Sequence, residues 1–403
     1  IICGYAQLNT TATTGEIEGI PAGTGGTYGG GATPNDDDNS GVINYLSIRH
    51  GGISIAEANE INGLTMGAVG RGTVIDYVEV YHNLDDGVEW FGGTVNCTHL
   101  VVAFCGDDSF DYDQGYRGKG QYWFTIHEPT DGDRGGEWDG GTVPEDGLPY
   151  AIPTIYNATF IGGGVGAPNT NRLAIGMFDN AGGKIYNSIF TEFSGNALTM
   201  EDLASGEDNR SRLEAGDLDF QDNIWYAFAN PVRDPSTGTS AIPQQFVWNA
   251  LFTVASGKEN VNLNPDFADI SRDADGPLDP RPNPAGPAGS TNNVPADPWF
   301  DAVNFKGAFD PNAAGVEALW TDGWSFLSCS GILQTGNWGP STCCVLRGDL
   351  NNDNKVIVSD LTFLVNYLFK GGAAPTCSYH GDLNGDTKII VSDLTYLVNY
   401  LFK

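Results

Sequence analysis

Two sets of acidic residues in this chain are spaced for chemistry. The first lies at the C-terminus. Asp349, Asn351, Asp353 and Asp360 stand at positions 1, 3, 5 and 12 of a loop whose seventh residue is Lys355. Asp382, Asn384, Asp386 and Asp393 repeat the pattern around Lys388. Calcium loops take side-chain oxygens at these positions and a backbone carbonyl at the seventh, here that of Lys355 or Lys388. All six acids between Val345 and Lys403 fall at position 1, 5 or 12. Acids that merely solvate a surface are not confined in this way.

The second set is a ladder. HNLDDGVEWF (82–91) and FCGDDSFDYD (104–113) superpose at an offset of 22. Asp85 then lies over Asp107, Asp86 over Asp108 and Glu89 over Asp111. If 22 residues make one coil, these carboxylates stack ~4.8 Å apart. Like charges so close require calcium, a basic partner or raised pKa values. Arg117 and Lys119 follow closely enough in sequence to be that partner. One reading is a polysaccharide-cleaving site built from Asp85, Asp86, Asp107, Asp108, Arg117 and Lys119, with paired carboxylates as acid and base. The other, which weighs more, is a structural calcium or salt-bridge ladder. Asp-Asp-Gly turns are favoured by local Asx geometry alone. No GxSxG motif is present, and the five His residues are scattered.

Positioning such a ladder requires stacked coils. Short β-rich runs such as 42–48, 73–81, 96–104, 155–161, 184–190 and 220–228 carry an early Asn or Asp: Asn44, Asp76, Asn96, Asn157, Asn187 and Asp222. With Gly-rich corners, they predict a mainly β chain, a right-handed parallel β-helix over residues 1–264; a β-sandwich is the competing fold. Residues 265–344 read as a Pro/Gly-rich excursion followed by a bridging segment with Trp and Cys. Residues 345–403 are a small α-helical calcium module built from a repeat. Segments 348–370 and 381–403 align without gaps at an offset of 33 and differ at four of 23 positions. Each is a loop followed by a helix with a stripe: Leu361, Leu364, Val365 and Leu368, then Leu394, Leu397, Val398 and Leu401.

The charge balance narrows the partners. Nineteen Lys and Arg against 51 Asp and Glu give a net charge of −32. Nucleic acid and anionic membrane surfaces are disfavoured, and cations are favoured. No apolar run is long enough to span a membrane. The chain opens Ile1-Ile2-Cys3 and reads as a processed, secreted product. Seven Cys without a CxxC pair suit an oxidising compartment. Cys97 and Cys105 form a candidate local pair, while Cys329, Cys343, Cys344 and Cys377 cluster late. Trp90, Trp123, Trp138 and Trp225 are candidates for sugar stacking, with core packing the commoner fate.

The C-terminal repeats resemble a type I dockerin, with Asp rather than Glu at the last ligand position. The resemblance implies one calcium ion per loop and docking to a cohesin-like scaffold. It departs at position 6 (Asn354, Thr387), at position 9 (Ile357, Ile390) and in the recognition pairs Val358-Ser359 and Val391-Ser392. Calcium binding tolerates these changes; the identity of the partner is left open. Residues 60–123 are similar to a family of secreted bacterial β-helix proteins with the DDG–E-[WF]-FGGT pattern, a family without an assigned activity. The leading expectation is therefore an extracellular or cell-surface structural protein that self-assembles into a homo-oligomer or filament through its calcium module. The alternative is a polysaccharide lyase or glycoside hydrolase docked to a cohesin scaffold. Further calcium in the acidic ladder is compatible with either.

Overall fold

The computed structural model describes residues 1–53, 61–169, 172–272, 278–314, 319–330, 332–333, 348–351, 353, 355–375, 381, 383 and 389–402. These divide into two compact units, Ile1–Asp269 with Pro280–Ala314, and Ile270–Asp279 with Gly315–Lys403. The first unit is a parallel β-helix. Short strands Ile2–Cys3, Leu64–Gly67, Val88–Phe91, Phe110–Asp113, Gly136–Asp139, Ile175–Phe178 and Leu198–Met200 stack in that order into one sheet. Between them run the longer strands Val42–Arg49, Val74–Tyr81, Asn96–Ala103 and Lys119–Ile126 of a second sheet. That sheet continues as the half-strand pairs Thr154–Tyr156 with Thr159–Ile161, Gly183–Tyr186 with Ile189–Phe193, and Leu218–Gln221 with Ile224–Phe228.

Seven coils share one left-handed position in the second sheet. Tyr45, Tyr77, His99, Tyr122, Asn157, Asn187 and Asp222 all have φ between 48° and 60°, and the strand registers place them above one another. Asn and Asp tolerate this conformation best, which accounts for the polar residue seen early in the later runs. The corner amides also hold a strap, residues 288–309. Asn157 Nδ2 donates to Phe305 O at 2.8 Å and Asn187 Nδ2 to Asn293 O at 2.8 Å. Lys306 forms a buried ion pair with Asp222. Part of the stretch expected as a Pro/Gly-rich excursion is thus hydrogen-bonded along the first unit.

Alternation along each strand sends one set of side chains inward. Trp90, Trp123, Trp138 and Trp225 are fully buried with Phe110, Tyr112, Phe160 and Phe190, and Trp90 stacks on Trp123 at 4.9 Å. None of the four offers a face to a sugar. Cys97 and Cys105 are free thiols in the same core. They stand near opposite ends of an extended strand, and eight strand residues span roughly 26 Å. A bridge needs Cα atoms within about 7 Å, so the expected local pair is not formed. Helices Asn209–Ala215 and Gln245–Leu251 lie at the far end, with Val247 and Leu251 buried in the β-helix core.

In the second unit, helices Val358–Lys370 and Val391–Phe402 follow the two loops. Leu350, Leu364 and Leu397 are buried at its centre, with Leu361, Leu368, Leu394 and Leu401 packed round them. Asp382, Asn384, Asp386, Lys388, Cys343, Cys344 and Cys377 lie outside the described residues.

Candidate functional site

The outer face of the short-strand sheet is a grid of carboxylates. The register Val88↔Phe110 and Phe110↔Gly136 sets Glu89, Asp111 and Glu137 side by side in successive coils. Three positions earlier in each coil stand Asn62, Asp86, Asp108 and Arg134; one position earlier again stand Asp85, Asp107 and Asp133. Between these columns and the strand, the side chain points inward at Gly63, Gly87, Ser109 and Gly135. A Cβ at Gly87 would meet Val102 Cγ1 at 2.3 Å, and one at Gly63 would meet Val80 Cγ1 at 2.3 Å. Only a small residue fits there, which fixes the last letter of the acid-acid-small motif.

The carboxylates converge. One oxygen from each of Asp86, Glu89 and Asp111 lies within 4.8 Å of the others; the same holds for Asp85, Asp86 and Asp107, and for Asp107, Asp108 and Asp133. Oxygens that share one calcium at ~2.4 Å lie within about 4.8 Å of each other, so the spacing is that of a ligand set. A second observation points the same way. Asn62 is only 5 % exposed; its Nδ2 donates to Glu89, yet its Oδ1 has no hydrogen-bond partner. Asp111 Oδ1 is buried without one as well. Acceptor atoms left bare in this way beside a carboxylate cluster suit a hard cation.

Burial raises the pKa of Asp86, with Asp85 and Asp107 adding to the effect, and that of Glu89, where Asp86 adds to it. Burial and then Glu89 raise Asp111. Asp139, one strand further on, is pushed up to about 8 by burial and by Glu137. Part of the ladder serves the backbone: Asp86 Oδ1 accepts from Asp108 N at 2.8 Å, and Asp108 Oδ1 accepts from Arg134 N at 2.5 Å. The guanidinium of Arg134 reaches Asp108 at 3.1 Å, Asp133 at 3.2 Å and Glu137 at 2.8 Å. Burial opposes its charge, but these three acids outweigh burial and raise its pKa.

Arg134 is therefore the guanidinium that the acid ladder gathers, and Arg117 and Lys119 pair elsewhere. Arg117 pairs with Asp36 at 2.6 Å and Lys119 with Asp297 at 2.5 Å. They follow the acids in sequence, but the chain carries them round the corner into the second sheet. Arg134, Glu137 and Asp139 escaped the sequence reading because this coil is longer, with Phe110 opposite Gly136 rather than a residue 22 on. The signal was nonetheless present: GEWDGGT (136–142) repeats VEWFGGT (88–94).

In the second unit, oxygens of Asp349, Asp353 and Asp360 lie within 4.8 Å of one another. Asp360 is buried and accepts from Leu350 N at 2.9 Å, Asn351 N at 3.2 Å and Ile357 N at 2.9 Å. Asp393 accepts from Leu383 N and Ile390 N, each at 2.8 Å, which is the same arrangement one repeat later. Asn351 Oδ1 and Asp349 Oδ1 both accept from Asp353 N at 3.0 Å, and Lys355 N donates to Asp353 at 3.1 Å. This all-oxygen set fits calcium. Phe369, Tyr396, Tyr400 and Phe402 are exposed on the helices, whereas Phe363 and Tyr367 pack on the core.

Parallel coils with an outward acid ladder, and a second unit whose two helices follow repeated acidic segments, define a two-part β-helix protein. The sequence model of a pectate-lyase-like β-helix domain matches residues 1–260, and the chain belongs to that family. Residues 347–402 match the type I dockerin domain, the module expected from the repeat. No curated protein and no solved structure matches the chain. Among the described residues no helix is long and apolar enough to cross a membrane.

Proposed function

We propose that the chain is an extracellular polysaccharide-degrading β-helix protein carried to a cohesin-bearing scaffold by its dockerin. In this reading residues 1–264 act on the glycan, residues 345–403 dock, and residues 265–344 join them. The observation that carries it is the convergence of Asp86, Glu89 and Asp111 on the outer face, with Asn62 Oδ1 left bare beside them. These four residues would hold a divalent cation, which supplies counter-charge to an acidic sugar. The strongly negative face would otherwise repel a uronate. Asp85, Asp107 and Asp133 line the same face, and Arg134 holds Asp108 and Glu137 in place. Carboxylate oxygens this close match a metal clamp better than a hydrolytic acid–base pair, whose carboxyl groups stand ~5 Å apart or more. The reaction class is accordingly elimination on a uronate-containing chain rather than hydrolysis.

The two family matches support docking and glycan cleavage, not the self-assembling matrix component expected first. The exposed aromatic residues of the module are accounted for by a cohesin partner, and calcium in its loops would fix the helices that carry them. The test is cleavage of uronate-rich polysaccharides by the full chain, followed as ultraviolet-absorbing unsaturated ends. Cleavage should require calcium and be lost in Glu89→Gln and Asp111→Asn. A wild-type protein that neither binds nor cleaves any acidic glycan in calcium would overturn the proposal.

A further inference from the structure

The acid ladder stops before the far end of its sheet. The registers Gly136↔Ile175 and Ile175↔Leu198 carry its three columns on to Arg172, Leu173 and Gly176, and then to Gly195, Asn196 and Thr199. Neither coil adds a carboxylate to them. Where the ladder has ended, a cavity of about 300 Å³ opens. Asn196 lines it from the sheet. Asn230, Pro235, Thr239, Ser240 and Pro243 line it from the loop that follows strand Ile224–Phe228. The lining carries no charged side chain.

The walls are fixed. Ala197 N donates to Ala241 O at 2.8 Å, Ala241 N to Pro231 O at 3.1 Å and Arg233 Nε to Thr239 O at 3.0 Å. The Ser240 hydroxyl donates to Arg233 O and accepts from Ile242 N. Ala241 and Ile242 are fully buried and anchor the loop in the β-helix core. The side-chain amides of Asn196 and Asn230 are different. Both residues are half-buried, and neither amide makes a hydrogen bond among the described residues. Each offers two N–H donors and an acceptor oxygen. A preformed cleft with a few convergent polar groups is how proteins orient small ligands.

We propose that this cavity binds a neutral sugar residue. The inference rests on the reading of this face as a glycan site and narrows its substrate to a mixed chain. An acidic residue would sit at the cation, and a neutral one in the amide cavity, roughly 14 Å further along the axis at ~4.8 Å per coil. A sugar hydroxyl both gives and takes a hydrogen bond, as an amide does. Pro235 and Pro243 offer C–H surface to the ring. The lining itself gives a second uronate neither a cation nor the carboxylates to hold one.

Calorimetric titration of the full chain in calcium tests this, with gluco-, xylo-, manno- and galacto-oligosaccharides as probes. At least one should bind. A neutral hydrogen bond is worth a few-fold in affinity, so the Asn196→Ala/Asn230→Ala double variant should bind it weaker by on the order of tenfold or more. Neither amide bonds to the protein, so the melting temperature of this variant should match wild type. Glu89→Gln/Asp111→Asn should bind the neutral probe as wild type does, whether or not wild type cleaves an acidic glycan, so the two readings fail separately. Binding of none of the four probes overturns the proposal. So does binding that survives loss of both amides, or an oligouronate bound more tightly through the same two residues.

Discussion

At the scale of single residues, crowding of carboxylates is the dominant physical fact about the outer face. Without a cation, Asp86, Glu89 and Asp111 can be accommodated only by keeping protons. Glu89→Gln should therefore have opposite effects in two buffers. In chelator it replaces a group that must hold a proton in order to stay buried with one that is already neutral, and should raise stability by on the order of 1–2 kcal/mol, the equivalent of about one pKa unit. In calcium it removes a ligand and should lower the melting temperature relative to wild type. Paired thermal melts check both signs. In the dockerin, Asp360→Ala removes the acceptor of three backbone N–H groups together with the position-12 carboxylate. Its cost should be roughly 2–3 kcal/mol, seen as faster amide exchange along Val358–Lys370. The cluster of Asp349, Asp353 and Asp360 was legible because the three sit in one unbroken loop. Arg134 was not, because its contact with Asp108 is made across coils and sequence distance does not report which turn of a coil a residue occupies.

At the scale of elements, the coil period made the ladder readable. An offset of 22 aligns Val88 with Phe110, and the strands pair in that register. The left-handed corner was visible only as a run of Asn and Asp, because in the first four coils the same position is filled by Tyr or His. There the stacked rings, Tyr77 on His99 at 4.2 Å and Tyr45 on Tyr77 at 4.6 Å, take over from the amides. The strap was legible only as an excursion without regular structure, because Pro and Gly forbid helix and sheet; which backbone it lies on is set by hydrogen bonds from the corner amides, made across more than a hundred residues. The small inward position before each short strand carries its own prediction. Gly87→Val would drive a branched side chain into Val102, where Cβ alone would already sit at 2.3 Å. Overpacking of this kind costs about 1–3 kcal/mol. Gly87→Ser should be borne better, since Ser109 fills the equivalent site in the next coil. Urea titration of the two variants should rank them in that order.

At the scale of the whole molecule, the net charge of −32 and the buried acids make stability depend on pH and on calcium together. Asp139 in the folded protein holds its proton up to about pH 8, whereas its ordinary value is 3.8. The folded state thus binds a proton that the unfolded chain has released, and stability falls as pH rises between those values. In chelator the β-helix should melt at a lower temperature at pH 8 than at pH 5, and saturating calcium should narrow the difference. Fold class and the two-part organisation were legible from repeats and corner residues, while the chemistry of the outer face depended on which acids the coils bring together. That face is the centre of the account, and the most direct measurement of it is a calcium count. Equilibrium dialysis of the full chain should show one more tightly bound calcium ion per molecule in the wild type than in the Glu89→Gln/Asp111→Asn double variant. Equal uptake by the two proteins, both folded, would contradict a cation site on the β-helix.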